Sequence, residues 1–364
     1  MASRWVKGTG LAGAAVASGV AAVGLASVAA ARRLRKMPET VAPDELEIPA
    51  DATEHVIQVS DGARIRVLER GEAMGGRPPI VLLHGITLGA AIWPYQLRAL
   101  ADAGHRVVAV DLRGHGRSTY AGGMELGEPS PGCGELERGE PARLPTSWPL
   151  TLDRLAADVQ EVTAALGVEG AVLVGHSMGG MVALQMMRRD PDLARGVGRV
   201  VALALVASAA HPADRRGFEA ILAAARPIVS SGMGLVARLP GPTLPAVDAV
   251  YALARVTFGD RPSPRQVFFT GAMTGAVPVR VSGELLADIF SFDARDLLPS
   301  IRLPTTVMVG DHDVMTPPAQ SEALAAGIAG AELIILRGCG HMVMLERPAE
   351  LDEAIMSLAK RATA

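Results

Sequence analysis

Cysteine is nearly missing from this 364-residue chain: Cys133 and Cys339 are the only two. They cannot make a disulfide framework or a cysteine-rich metal site. Aromatic residues supply only 3% of the chain, so a core must be built from Ala, Val, Leu and Ile. Periodicity is absent from the 40 Gly and 25 Pro, which excludes collagen and repeat arrays. Acidic residues are missing from the first 36 positions, which carry Arg4, Lys7, Arg32, Arg33, Arg35 and Lys36. The whole chain has a formal charge of −3, so the remainder stands at −9. An acidic body cannot displace counterions from a polyphosphate, and nucleic acid is set aside as a partner.

Charge is missing altogether from residues 8–31, a run rich in Ala and Gly between basic flanks. As a helix it would span roughly 36 Å, enough for a hydrocarbon core of about 30 Å. Segment 1–36 is therefore expected to be a membrane anchor through residues 8–31. The positive-inside rule points to a cytoplasmic body. The competing reading is an export signal cleaved after Ala29-Ala30-Ala31. Residues 37–54 are rich in Pro and acid without period and read as a linker.

What is present after the linker is an alternation of strands and helices. Strands are expected at 55–59, 64–69, 80–83, 106–110, 171–174, 200–206, 305–309 and 332–336. Helices are expected at 93–103, 152–166, 178–189, 319–327 and 348–360. Short apolar runs such as Ile80-Val-Leu-Leu83 are typical of strands buried on both faces. The fold class is thus α/β: a mostly parallel central sheet flanked by helices, with an antiparallel hairpin at its start. Core segments 55–208 and 300–364 are interrupted twice. Residues 119–149 hold six Gly, five Pro and five Glu, which reads as a flexible insertion. Residues 209–299 hold helix-like runs at 218–225, 246–256 and 283–290. They read as a helical cap over the sheet edge where α/β folds place ligands.

Chemistry concentrates at three turns. Gly175-His176-Ser177-Met178-Gly179 joins an apolar strand to a helix, and so tight a turn must project Ser177 at the tip of the sheet. A serine hydroxyl needs a base, oriented in turn by a third group. His341 lies in a Gly-rich loop between the last strand and last helix, and Gly310-Asp311-His312-Asp313 follows another strand at the same edge. His84, His115 and His176 lie in glycine-crowded turns, where an imidazole more often ties a loop down.

With these motifs, and with His84-Gly85 and Asp111-Leu-Arg-Gly-His-Gly-Arg-Ser118, the chain resembles the α/β-hydrolase superfamily, in its branch of lidded, cofactor-independent serine hydrolases. The likeness runs from about Val56 to Lys360. It implies Ser177 as nucleophile, His341 as base and Asp313 as orienting acid, with Asp311 a rival. It implies an oxyanion hole from the backbone N–H groups of Ile86 and Met178, and no cofactor or metal. Asp111 and His115 are expected to brace loops. Serine at 177 argues against epoxide hydrolases and haloalkane dehalogenases, which use aspartate there.

The expected activity is hydrolysis of a carboxylic ester, or related acyl bond, of an apolar small molecule through an acyl-enzyme. C–C bond hydrolysis, acyl transfer and cofactor-free perhydrolysis use the same triad. A membrane-tethered binding protein on an inactive hydrolase fold is the alternative from another class.

Overall fold

A computed structural model describes residues 32–119, 150–211 and 248–363. Its strands are β1 (Thr53–Gln58), β2 (Arg64–Arg70), β3 (Ile80–Leu83), β4 (Val107–Val110), β5 (Ala171–His176), β6 (Val200–Val206), β7 (Thr305–Gly310) and β8 (Glu332–Leu336). Between and after them run helices α1 (Pro94–Asp102), α2 (Leu152–Ala165), α3 (Met178–Arg189), α4 (Pro191–Ala194), α5 (Asp248–Val256), α6 (Pro264–Ala276), α7 (Val279–Ser291), α8 (Pro318–Gly327), α9 (Val343–Glu346) and α10 (Pro348–Thr363).

The strands form one sheet in the order β1-β2-β4-β3-β5-β6-β7-β8. The β1–β2 and β2–β4 pairs are antiparallel and every other pair is parallel. Successive side chains of a strand point to opposite faces, and the core divides accordingly. Val81, Leu83, Val108 and Val110 enter a cluster with Leu155 and Val159 of α2 and Leu184 of α3. Ile80, Leu82, Val107 and Ala109 enter another with Leu97 of α1 and Ile355 and Leu358 of α10. Each fully buried Leu or Val contributes about 1.5–3 kcal/mol of transfer free energy, so these two layers fix where the strands end.

Register then aligns the functional turns. Leu83 lies opposite both Val110 and Gly175, His176 opposite Val206, and Gly310 opposite Leu336. Loops after β3, β4, β5, β7 and β8 therefore leave one edge of the sheet.

Two segments differ from their sequence reading. Residues 37–54 are packed on the body rather than strung as a linker. Val41 and Leu46 are buried, and the Arg98 guanidinium donates to the carbonyls of Asp44, Glu45 and Glu47 at 2.7–2.8 Å. Glu39 accepts from the Ser263 hydroxyl and from the Arg265 N–H at 3.0 Å, joining this arm to the start of α6. Composition alone hid this, because the acids and carbonyls find partners far along the chain. Helix α6 itself is unmarked in the sequence pattern: Thr and Gly weaken its propensity, while the Ser263 cap and Pro264 at its first turn start it. Among the described residues no helix is long and apolar enough to cross a membrane. The expected span 8–31, the cap run 218–225 and, of the insertion expected at 119–149, all but Thr119 lie outside the described residues.

Candidate active site

The sharpest local feature is the turn from β5 into α3. Ser177 has φ 53° and ψ −119°, a left-handed conformation that costs a non-glycine residue about 1–3 kcal/mol. It is held there by its N–H donating to the Val206 carbonyl at 2.9 Å and by the Ser208 hydroxyl donating to its carbonyl at 2.8 Å. Glycine is required on both sides. A Cβ at Gly175 would sit 2.5 Å from the Gly179 carbonyl, and one at Gly179 would sit 2.3 Å from that of Leu83. A serine preceding a helix usually caps it. Ser177 does not, so its hydroxyl is left for other work.

On the neighbouring loops, Asp313 and His341 meet. His341 Nδ1 lies 2.8 Å from Asp313 Oδ2, with both side chains almost fully buried. The carboxylate also accepts from the N–H groups of Met315 and Thr316, at 2.8 and 2.9 Å, and from the Thr316 hydroxyl at 2.8 Å. Four donors fix its plane, so the imidazole proton sits on Nδ1 and Nε2 is left as a base. Asp311 is turned away: it is exposed and accepts from the Gly338 N–H at 2.7 Å. The geometry thus separates the two rival acids.

The His341 N–H donates to the Thr257 carbonyl at 2.7 Å, which ties the His341 loop to the segment just past α5. Ser177 is linked to the same loop through its neighbour His176, whose Nε2 is 3.0 Å from the His341 carbonyl oxygen. Ile86 and Met178 stand where backbone donors are expected, and among the described residues neither N–H donates a hydrogen bond. Beside Ile86, Thr87 holds φ 61°, unusual for a β-branched residue, and its hydroxyl lies 3.3 Å from that of Thr274 on α6.

The other turn histidines are spent on structure. His84 Nδ1 donates to the Gly85 carbonyl at 2.7 Å while Nε2 accepts from the Leu112 N–H at 2.9 Å. Complete burial lowers its pKa to about 4. Burial, with the nearby His84, lowers that of His115 to about 3. Among the described residues no cluster of three or more His, Cys, Asp or Glu is placed to hold a metal ion.

Thr316, Ser208, Thr257 and Thr87 were not found by sequence reasoning. Only Thr316 carried a usable signal, since a hydroxyl residue three positions after an Asp commonly closes a side-chain turn.

Comparison with known proteins agrees with this architecture. The sequence profile described as "Alpha/beta hydrolase family" matches residues 80–354. An AB hydrolase superfamily protein of Bacillus subtilis, YisY, is 29% identical over 78% of this chain and 92% of its own. A non-heme haloperoxidase of Rhodococcus erythropolis is 28% identical over the same shares. Among solved structures, Est816, described as an N-acyl homoserine lactone degrading enzyme, is 26% identical. It has a TM-score of 0.61 over 83% of this chain and 99% of its own.

Proposed function

The chain belongs to the alpha/beta hydrolase family, and from that premise we propose that it is a serine hydrolase acting on a carboxylic ester, or a related acyl bond, of an apolar small molecule. One observation carries the reading. A strained, non-capping Ser177 stands at a strand–helix elbow whose adjacent loops present an Asp313–His341 pair with Nε2 left as base. In the proposed reaction Ser177 Oγ attacks the acyl carbon as His341 Nε2 takes its proton. Asp313 stays ionised and stabilises the imidazolium through Nδ1–H. The N–H groups of Ile86 and Met178 receive the oxyanion, and His341 returns the proton to the leaving alcohol. Water, deprotonated by the same imidazole, then releases the acid. The lactone named for Est816 is a cyclic ester, which suits this chemistry.

A phosphonylating serine probe tests the reading. The wild-type chain should be labelled and Ser177→Ala should not. Ester turnover in that variant should fall on the order of 10⁴-fold or more. Equal turnover in the two proteins overturns the mechanism. The haloperoxidase relative favours one second reading, in which peroxide replaces water in attacking the acyl-enzyme. Carboxylate- and peroxide-dependent halogenation of a dione dye, lost in Ser177→Ala, would distinguish it.

The anchor proposed at residues 8–31 has its own test. Leu34 is buried in the core, so the shortened chain should begin at Arg32 rather than at Met37. That chain should be soluble and active, while the full chain should sediment with membranes and resist high salt. Release of the full chain by salt alone rejects a spanning helix.

A further inference from the structure

His176 is the residue between the elbow glycine and the nucleophile, and the reaction proposed above leaves it without a role. It is fully buried. Its Nε2 lies 3.0 Å from the carbonyl oxygen of His341, so the ring proton sits on Nε2, because a carbonyl can only accept. Its Nδ1 is buried and has no hydrogen-bond partner among the described residues. The ring packs 4.7 Å from that of His341, tilted by 54°, with the Trp93 ring standing edge-on at 6.4 Å. The ring also stands close to the loop that precedes Ile86. A Cβ at Gly85 would lie 2.9 Å from His176 Nδ1 and 3.1 Å from Ser177 Cβ. The side chain next in sequence to the nucleophile is therefore hydrogen-bonded to the His341 loop and close to the loop of the candidate oxyanion donor.

We infer that His176 is a positioning residue of the hydrolytic site: its Nε2–H holds the His341 main chain to the nucleophile strand, and its uncharged ring sets the spacing between base and oxyanion loop. The inference rests on the serine-hydrolase reading. Burial, then the neighbouring His341 and His84, push its pKa well below the ordinary histidine value. A charged ring there would repel the imidazolium that forms on His341. Losing one buried hydrogen bond weakens a fold only modestly. A misplacement near 1 Å at the reacting groups costs on the order of 10²-fold in rate. The effect of removing the clamp should therefore appear in turnover.

The experiment compares two replacements of similar length, His176→Gln with a donor and His176→Met without one, on the full chain with p-nitrophenyl butyrate. His176→Met should lose about 10–100-fold in kcat with KM within about twofold. His176→Gln should recover most of that loss, and both should keep a melting temperature near that of the wild type. Wild-type kcat in His176→Met, or equal losses in the two variants, overturns the inference. Because the site is tightly packed, the wild-type protein supplies an independent measure. Proton–nitrogen correlation spectra should show His176 as the Nε2–H tautomer from about pH 5 to 9. A proton on Nδ1, or a ring that titrates in that range, overturns it as well. Failure of the serine probe on the wild-type chain would instead reject the hydrolase reading itself.

Discussion

The loops after β4 and β7 leave the same sheet edge, and each combines an aspartate with nearby histidines. After β4, Asp111 accepts from Arg66 Nη1 at 3.1 Å and from the N–H groups of Ala90 and Arg117 at 2.5 and 3.0 Å. His84 and His115 pack beside it with ring centroids 5.1 Å apart. Their lowered pKa values keep both rings neutral at pH 7. After β7, Asp313 meets no arginine among the described residues: of its four donors there, three belong to its own turn and the fourth is His341. An acid held by a guanidinium and two backbone N–H groups braces a loop. An acid whose last donor is an imidazole with a free Nε2 can orient a base. Along one sheet edge the same two residue types give scaffold after β4 and a candidate catalytic pair after β7.

Breaking the pair at β7 should have the largest effect. Asp313→Asn leaves the turn donors largely served but presents His341 with an amide, which favours the wrong tautomer. Turnover should fall on the order of 10⁴-fold with the melting temperature nearly unchanged. Asp311→Asn should keep turnover within about threefold, since its carboxylate serves the Gly338 N–H and lies 4.0 Å from His312 Nε2, away from His341. Steady-state kinetics on the two variants checks this, and a reversal of the two results would give the orienting role to Asp311.

The brace at β4 should break differently. Asp111→Asn strips the charge partner from Arg66, whose side chain is only 9% exposed. Removing one member of a buried ion pair costs about 3–5 kcal/mol. Glu54, also paired with Arg66 at 2.8 Å, should hold the loss toward the lower end. Urea unfolding should show a lower midpoint at unchanged slope, with kcat per folded molecule close to wild type. A fall in kcat at native stability would make this loop part of the chemistry.

How legible each region was in the sequence follows the same physics. Strands Ile80–Leu83, Val200–Val206 and Glu332–Leu336 and helix Met178–Arg189 coincide at both ends with their expected ranges. Short apolar runs with turn residues beside them leave little freedom of placement. The elbow was readable because its glycines are sterically required. The choice between Asp311 and Asp313 was not, because either carboxylate of a four-residue turn can face inward until the turn's own donors are known. Arm 37–54 was misread for a related reason. Its ties to Arg98, Ser263 and Arg265 join residues 51–226 positions apart, which no local pattern encodes. The expectation placed on 119–149 falls, but for Thr119, outside the described residues.

A third acid sharpens the contrast, because among the described residues it meets neither arginine nor histidine. Asp352 on α10 is buried, with Gln96 of α1 beside it. Its Oδ1 and both amide atoms of Gln96 lack hydrogen-bond partners among the described residues. Burial raises its pKa from the model-compound value of 3.8 to about 7, and Gln96 offsets only part of that. The sign is opposite to that of a salt-bridged carboxylate. Between these two values the folded state keeps a proton that the unfolded state has lost, so stability falls as pH rises. From pH 5.5 to 8 the loss attributable to this group should be about 2 kcal/mol, fully developed above the folded-state value. Asp352→Asn cannot ionise, so its melting temperature should decline less over that interval than that of the wild type, with kcat unaffected at either end. Parallel declines in the two proteins would mean that the Asp352 carboxylate is ionised in the fold. Water would then reach the space between α1 and α10, and a buried acid would need no cation to remain charged there.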